Sequence, residues 1–228
     1  MASPDVVTGG VAGEFRQAAG VTGTTRQGAY NEAIVNDAGY GRYFEACRYN
    51  RLFSSMVKTV TVAATHNSPI AAATATPVLG LYNPISSGKA VVIQRIACST
   101  VSGTPAGGQF IVNAMVVTTP TTQTVTGSIF SNLLSNSTVS PQGSVCKTYN
   151  NAALTGIVPT ASNEIDIIGA ATAAAAAGNG GSGLTGEDVG GRWIVPPSVL
   201  IAIMAGTGAG TTWIVNAAWS WVEVDWPL

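Results

Sequence analysis

The sequence predicts an all-β protein: a jelly roll or β-sandwich of about eight strands, preceded by an extended N-terminal arm with a short helical segment. Three observations point there. Short β-branched runs alternate with Gly, Pro, Asn and Ser turn signals through residues 58–228. Helical spacing is nearly absent from that region, which argues against a βαβ fold. Charge is divided unevenly: 11 of the 21 charged residues fall within residues 1–58, and the other 10 are spread to residue 228. The expected division is an arm at 1–57 and a β domain at 58–228.

The arm is broken by Gly9, Gly10, Gly13, Gly20, Gly23 and Gly28, so no long helix or strand is expected in its first 30 residues. From Asn31 a helical reading opens. Tyr40, Tyr43, Phe44 and Cys47 share a face, with Arg42, Glu45, Arg48 and Arg51 elsewhere. An apolar-aromatic segment after a loose lead suits an arm that orders on a neighbouring chain. The other reading is a poorly ordered tail with a capping helix. Arg42, Tyr43, Phe44, Arg48, Tyr49 and Arg51 are the expected arm contacts, because interface anchors favour Arg and aromatic residues.

The strands follow in order. Val57–Val62, Pro77–Tyr82, Ala90–Ala97 and Phe110–Val117 come first; Ser144–Tyr149, Ile165–Ile168, Val199–Met204 and Trp213–Val224 come later. Turn chemistry separates them at Asn83-Pro84 to Ser87-Gly88, at Ser102-Gly103 to Gly107-Gly108, and at Gly206–Gly210. The last strand is the most informative. Trp213, Val215, Ala217, Trp219 and Trp221 share one face, and the opposite face is also mostly apolar, so the strand is central or covered on both sides. Its Trp residues, with Trp226 beyond, are core or an inter-subunit seam, core being preferred. Glu223 and Asp225 continue the Trp face into an expected solvated strand end. Two stretches, Thr118–Ser140 and Gly169–Gly191, read as long surface loops.

Composition excludes several functions. A basic nucleic-acid binder is excluded by a pI near 5.7 and by the lack of any Lys/Arg run. The most apolar stretch, Trp193–Ala205, is shorter than the ~20 residues a membrane span needs and contains Pro196-Pro197. No signal peptide is expected from Met1–Gly10, which has neither a basic start nor an apolar run. Cys47, Cys98 and Cys146 suit reduced, buried thiols better than a disulfide framework. A net charge of −1 and 9% charged residues give little protection against association, so much of the surface is expected to be covered by other chains.

Catalytic and metal motifs are weak. His66, in Thr65-His66-Asn67-Ser68-Pro69, reads as a solvated loop residue, and no triad or zinc set can be assembled around it. Ser87-Gly88-Lys89 fails the phosphate-loop spacing and reads as a hairpin turn. Ser86…Lys89 matches S-x-x-K without the elements that motif requires. The pairs Glu164/Asp166 and Glu223/Asp225 sit two apart on a strand, and only the second is flanked by aromatics. Glu187 and Asp188 in a loop could serve Ca²⁺, without a supporting D-x-D-x-D-G pattern. No catalytic residue, cofactor or metal ligand is therefore assigned, and the chain is expected not to be an enzyme.

Three runs carry a resemblance. Leu81-Tyr82-Asn83-Pro84-Ile85-Ser86-Ser87-Gly88-Lys89 before a β-branched strand, Trp193-Ile194-Val195-Pro196-Pro197-Ser198, and Gly41-Arg42-Tyr43-Phe44-Glu45-Ala46 resemble virion proteins of tailed bacteriophages. The resemblance spans residues 40–228 loosely. It implies a capsid-associated jelly-roll protein, often trimeric, with an N-terminal arm. It does not separate a head decoration protein from a tail or fibre component. The expected function is a structural protein that decorates or cements the capsid shell as a trimer, its arm contacting neighbouring subunits. Expected partners are further copies of itself and the major capsid protein or other virion proteins, with no nucleic acid and no membrane. Its expected location is the virion, assembled in the host cytoplasm. The alternative is a tail or fibre module that recognises a host glycan through Trp219, Trp221 and Trp226.

Overall fold

The computed structural model describes residues 43–228 except 44–45, 48, 67, 71–73, 104–107, 118–128, 132–142, 155–158, 172–184, 207–212 and 228. Ten strands follow in chain order: β1 (Leu52–Thr61), β2 (Leu79–Asn83), β3 (Lys89–Gly103), β4 (Gly108–Val117), β5 (Phe130–Ser131), β6 (Lys147–Asn150), β7 (Pro159–Ala171), β8 (Thr185–Val195), β9 (Val199–Gly206) and β10 (Trp213–Asp225). Their pairings nest. β1 pairs with β10, β2 with β9, β3 with β8 and β4 with β7, all antiparallel. Nested pairing makes one long hairpin. Rolled so that β3 also meets β10 and β4 meets β9, it is a jelly roll. The result is two five-stranded sheets, β5-β1-β10-β3-β8 and β6-β2-β9-β4-β7, packed as a sandwich.

The inner core lies between the sheets. Along β10 every second residue from Trp213 to Glu223 is buried and the residues between are half-buried. Trp213, Trp219 and Trp221 therefore belong to the core. Each ring buried by folding is worth roughly 4–6 kcal/mol by area, an upper bound. Trp213 packs on Phe110 with ring centroids 4.9 Å apart, and Trp221 on Phe53 at 6.1 Å. Gly108 makes the first contact possible: a Cβ there would come within 2.5 Å of the Trp213 ring. The Trp213 Nε1–H is satisfied by Thr100 Oγ1 at 3.1 Å.

A second core covers the outer face of the second sheet. Tyr82, Met115, Val117, Tyr149, Leu200, Ala202 and Met204 form it, together with Ile70 and Leu154 from outside the strands. The connection between β1 and β2 thus acts as a strap across this face. Its 3-10 turn, Ala64–His66, carries a correction: His66 is buried at 1% exposure, not solvated. The Ala63 N–H donates to His66 Nδ1 at 2.8 Å, which leaves the Nε2–H to donate to Asn151 Oδ1, also at 2.8 Å. Further along, Asn113 Nδ2 donates to Ser68 Oγ and Ser68 Oγ to Glu164, each at 2.7 Å. The Ile70 N–H donates to Ser162 Oγ, and that hydroxyl to Asn113 Oδ1, each at 3.2 Å.

Two strands depart from expectation. β8 occupies part of the stretch read as a loop, and β5 lies within Thr118–Ser140. Gly186, Gly190 and Gly191 disguise β8. Gly190 and Gly191 take positive φ (61° and 83°) where the β3–β8 register shifts between Ile93 and Arg95, as a bulge requires. β1 also begins at Leu52, so residues 52–57, assigned to the arm, are part of the sandwich. Of the arm, residues 1–42 lie outside the described residues. The compact unit that follows spans Tyr43–Leu228.

Candidate functional site

The start of β1 and the end of β10 meet at one end of the sandwich. The Glu223 N–H donates to the Arg51 carbonyl at 3.1 Å, which extends the β1–β10 ladder by one step. One helical turn precedes it: the Cys47 N–H donates to the Tyr43 carbonyl at 2.9 Å, and the Arg51 N–H to the Ala46 carbonyl at 2.8 Å. The Tyr43 hydroxyl donates to Asp188 of β8 at 3.2 Å. The segment leading into β1 therefore reaches the far strand of the same sheet, three strand spacings or roughly 14 Å away. From the other side, the turn before β3 closes with the Ser87 N–H donating to the Pro84 carbonyl at 3.0 Å, and Gly88 takes φ 63°. The Trp226 N–H then donates to the Gly88 carbonyl at 3.0 Å.

These bonds gather Asn50, Arg51, Lys89, Gly143, Glu223 and Asp225 around a shallow cavity of about 110 Å³. Lys89 hydrogen-bonds and ion-pairs with Asp225, which holds the Asp225 carboxyl below its usual range; Arg51 adds to the effect. Glu223 carries a second correction. Its side chain is buried at 6% exposure, not a solvated strand end. Ser144 Oγ donates to it at 2.6 Å, Trp221 Nε1–H at 3.2 Å and the Val145 N–H at 3.2 Å. The Glu223/Asp225 pair is thus split. One carboxylate closes the core, and the other stands in solvent beside a lysine.

The exposed groups here include residue types that are enriched at protein interfaces. Tyr49 is 61% exposed and Trp226 43%, and the Arg51 guanidinium lies 5.8 Å from the centre of the Tyr49 ring. Of the expected arm contacts, Tyr49 and Arg51 come together at this end, and Tyr43 sits on β8. Arg42, Phe44 and Arg48 lie outside the described residues. The sequence reading weighed Lys89 only in two motifs that fail and named Ile85, which is 57% exposed, only within the run that carries the resemblance; neither was taken as a surface contact. Their position between a turn and a strand was visible, but not that β10 would end beside them.

The other candidates are dispersed. Asp166 and Glu187 both pair with Arg192, Asp188 accepts from Tyr43 and Glu164 from Ser68. Among the described residues no three His, Cys, Asp or Glu side chains cluster closely enough to hold a metal ion. All three cysteines are thiols. Burial pushes the Cys98 thiol up, and burial together with the neighbouring Glu223 does the same to Cys146, so neither is a reactive thiolate. Trp219 and Trp221 are buried, so a sugar platform built on them with Trp226 does not form. Among the described residues no helix is long and apolar enough to cross a membrane. Comparison of the chain with protein-family models, curated proteins and solved structures finds no match.

Proposed function

We propose that this chain is a non-enzymatic structural protein of a tailed-phage virion, which decorates or cements the capsid shell. In this reading it assembles as a trimer, and residues 1–42 contact neighbouring subunits or the major capsid protein. One observation carries the reading. The segment leading into a charge-poor jelly roll is tied to both β1 and β8, and Tyr49 and Arg51 stand exposed beside it. A fixed exit with interface-type side chains suits an arm that reaches outward. The runs shared in style with phage virion proteins agree with it.

The test is addition of purified protein to empty capsids. Full-length protein should bind, and protein lacking residues 1–42 should stay folded but fail to bind. Normal decoration by the truncated protein would sink the reading. A second reading, a tail or fibre module for a host glycan, is favoured only by Trp226 and Tyr49 beside Arg51 and Asp225. Glycan-array binding lost in Trp226→Ala would move the assignment there.

A further inference from the structure

The sandwich has two long sides, and their charges are opposite. On one side run β7 and β8, each paired along one flank only among the described residues. Glu164 and Asp166 stand on β7, Glu187 and Asp188 on β8. Arg192 joins the two sheets there through Asp166 and Glu187, and Arg95 of β3 lies opposite Asp188 in register. This side thus carries four carboxylates and two guanidinium groups, with Glu164 accepting from Ser68 and Asp188 from Tyr43. Ile165 and Ile167 are exposed on the same strand, at 40% and 58%.

On the opposite side, β5 pairs only with Phe53 and Ser54, so β1 beyond them is open among the described residues. β6 is open on its outer flank likewise. Asn150 Nδ2 donates to the Met56 carbonyl at 3.2 Å and ties these two strands together. The charges here are Lys58 on β1 and Lys147 on β6, neither paired with a carboxylate among the described residues. Met56 is exposed beside Lys58 at 48%.

We infer that a second copy of the chain sets its Lys58–Lys147 side against the Glu164–Asp188 side of the first. The inference rests on the oligomer in the proposed function and names the surface that builds it. The contact joins two different patches, so it builds a ring where its rotation closes, as the proposed trimer requires, and an open filament where it does not. Two like sides repel, which disfavours the two-fold alternative. Size agrees: the shorter side is set by the 10-residue β1, roughly 33 Å long, which with a sandwich side roughly 20 Å deep gives roughly 660 Å² per partner, within the range of a specific interface. Met56, Ile165 and Ile167 supply apolar contact, and charge sets the polarity of the contact.

The test compares four proteins by light scattering over a range of concentrations, with thermal melting to check the fold. They are wild type, Lys58→Glu with Lys147→Glu, Glu164→Lys with Asp188→Lys, and the fourfold exchange. The lysine pair is the primary variant because neither side chain has an ion-pair partner within the described chain. Wild type should be a ring. Each one-sided reversal should weaken association at least tenfold, and the fourfold exchange should restore it. A folded lysine variant that associates as wild type, a wild type that stays monomeric, or a folded fourfold variant that stays monomeric overturns the inference. Shell binding measured on the same samples separates the two proposals. An oligomer that responds as expected but never adds to shells defeats the virion reading alone. Shell binding with an oligomer indifferent to the reversals defeats this inference alone.

Discussion

The two hydrophobic cores of this molecule are built differently. The inner one is closed by strands on both sides, and its residues repeat every second position along β10 and β9, and along β3 with one break between Ile93 and Ile96. The outer one is closed by a strap between β1 and β2 that has, among the described residues, a single turn of regular structure. Strand ladders satisfy their own backbone groups, so the inner core needs only apolar side chains. A strap lacks ladders. Besides a few isolated backbone bonds, such as Thr76 N–H to the Thr65 carbonyl and Val78 N–H to the Ile203 carbonyl, it is held by side-chain bonds of His66, Ser68, Asn113 and Ser162 in buried and half-buried places. Burial thus stabilises one core, and polar geometry pins the lid of the other.

The sharpest way to break that contrast is Trp221→Ala. It removes the ring packed on Phe53 and leaves a cavity, at about 3–5 kcal/mol. It also takes away the Trp221 Nε1–H donor to buried Glu223, so the upper part of that range is expected. Chemical denaturation should show one cooperative loss for the whole domain. A loss below about 1 kcal/mol, the level of a surface change, would contradict the placement of the core.

The strap should respond less and locally. His66→Ala removes the bonds to the Ala63 N–H and Asn151 Oδ1, partners on exposed residues that water can reach, at about 0.5–1.5 kcal/mol each. Hydrogen exchange should rise across residues 62–78 while β10 stays protected. The same histidine gives a pH dependence. Burial is the first cause that lowers its folded pKa below 6.5, against the raising effect of its bonds to Asn151 and Ala63. The unfolded chain therefore takes up the proton first. The contribution is complete above pH 6.5 and is lost as pH falls below it toward the folded value. Melting temperature should decline between pH 7 and 5 in wild type and be flatter there in His66→Ala. Equal slopes would show that another group titrates.

The sequence made the inner core legible and the outer one obscure, for the same reason. Alternation along Trp213–Trp221 is a period-two signal that survives without any knowledge of partners. The strap has no period. His66 looks like a loop residue because its burial depends on Asn151, which is 85 positions away. Glu223 was misread likewise: its donors Ser144 and Val145 arrive from another part of the chain. β8 was hidden by glycines whose use is close approach, since a Cβ on Gly191 would come within 3.1 Å of Val92. At the candidate site, Tyr49, Arg51 and Trp226 were singled out by residue type. Their meeting at one end follows from the nested hairpin, which pairs the first strand with the last.

The smallest effect should come from the polar link between the sheets, and it sets the lower bound of the comparison. Arg192 pairs with Asp166 and Glu187, and its guanidinium lies 4.9 Å from the centre of the Trp193 ring. The arginine side chain is 52% exposed and its partners 30% and 42%, so water and salt screen the attraction. Such pairs contribute about 0–1 kcal/mol, and the aromatic contact at an exposed site adds about 0.5–1 kcal/mol. Arg192→Ala should therefore cost about 1 kcal/mol at low salt. Raising the salt toward 1 M should shrink the difference from wild type but not erase it, because packing on Trp193 is lost whatever the screening. Denaturation at two salt concentrations measures both parts. A loss as large as that of Trp221→Ala would mean that the sheets are held together at their open side by charge, and that the inner core is less self-sufficient than its burial implies.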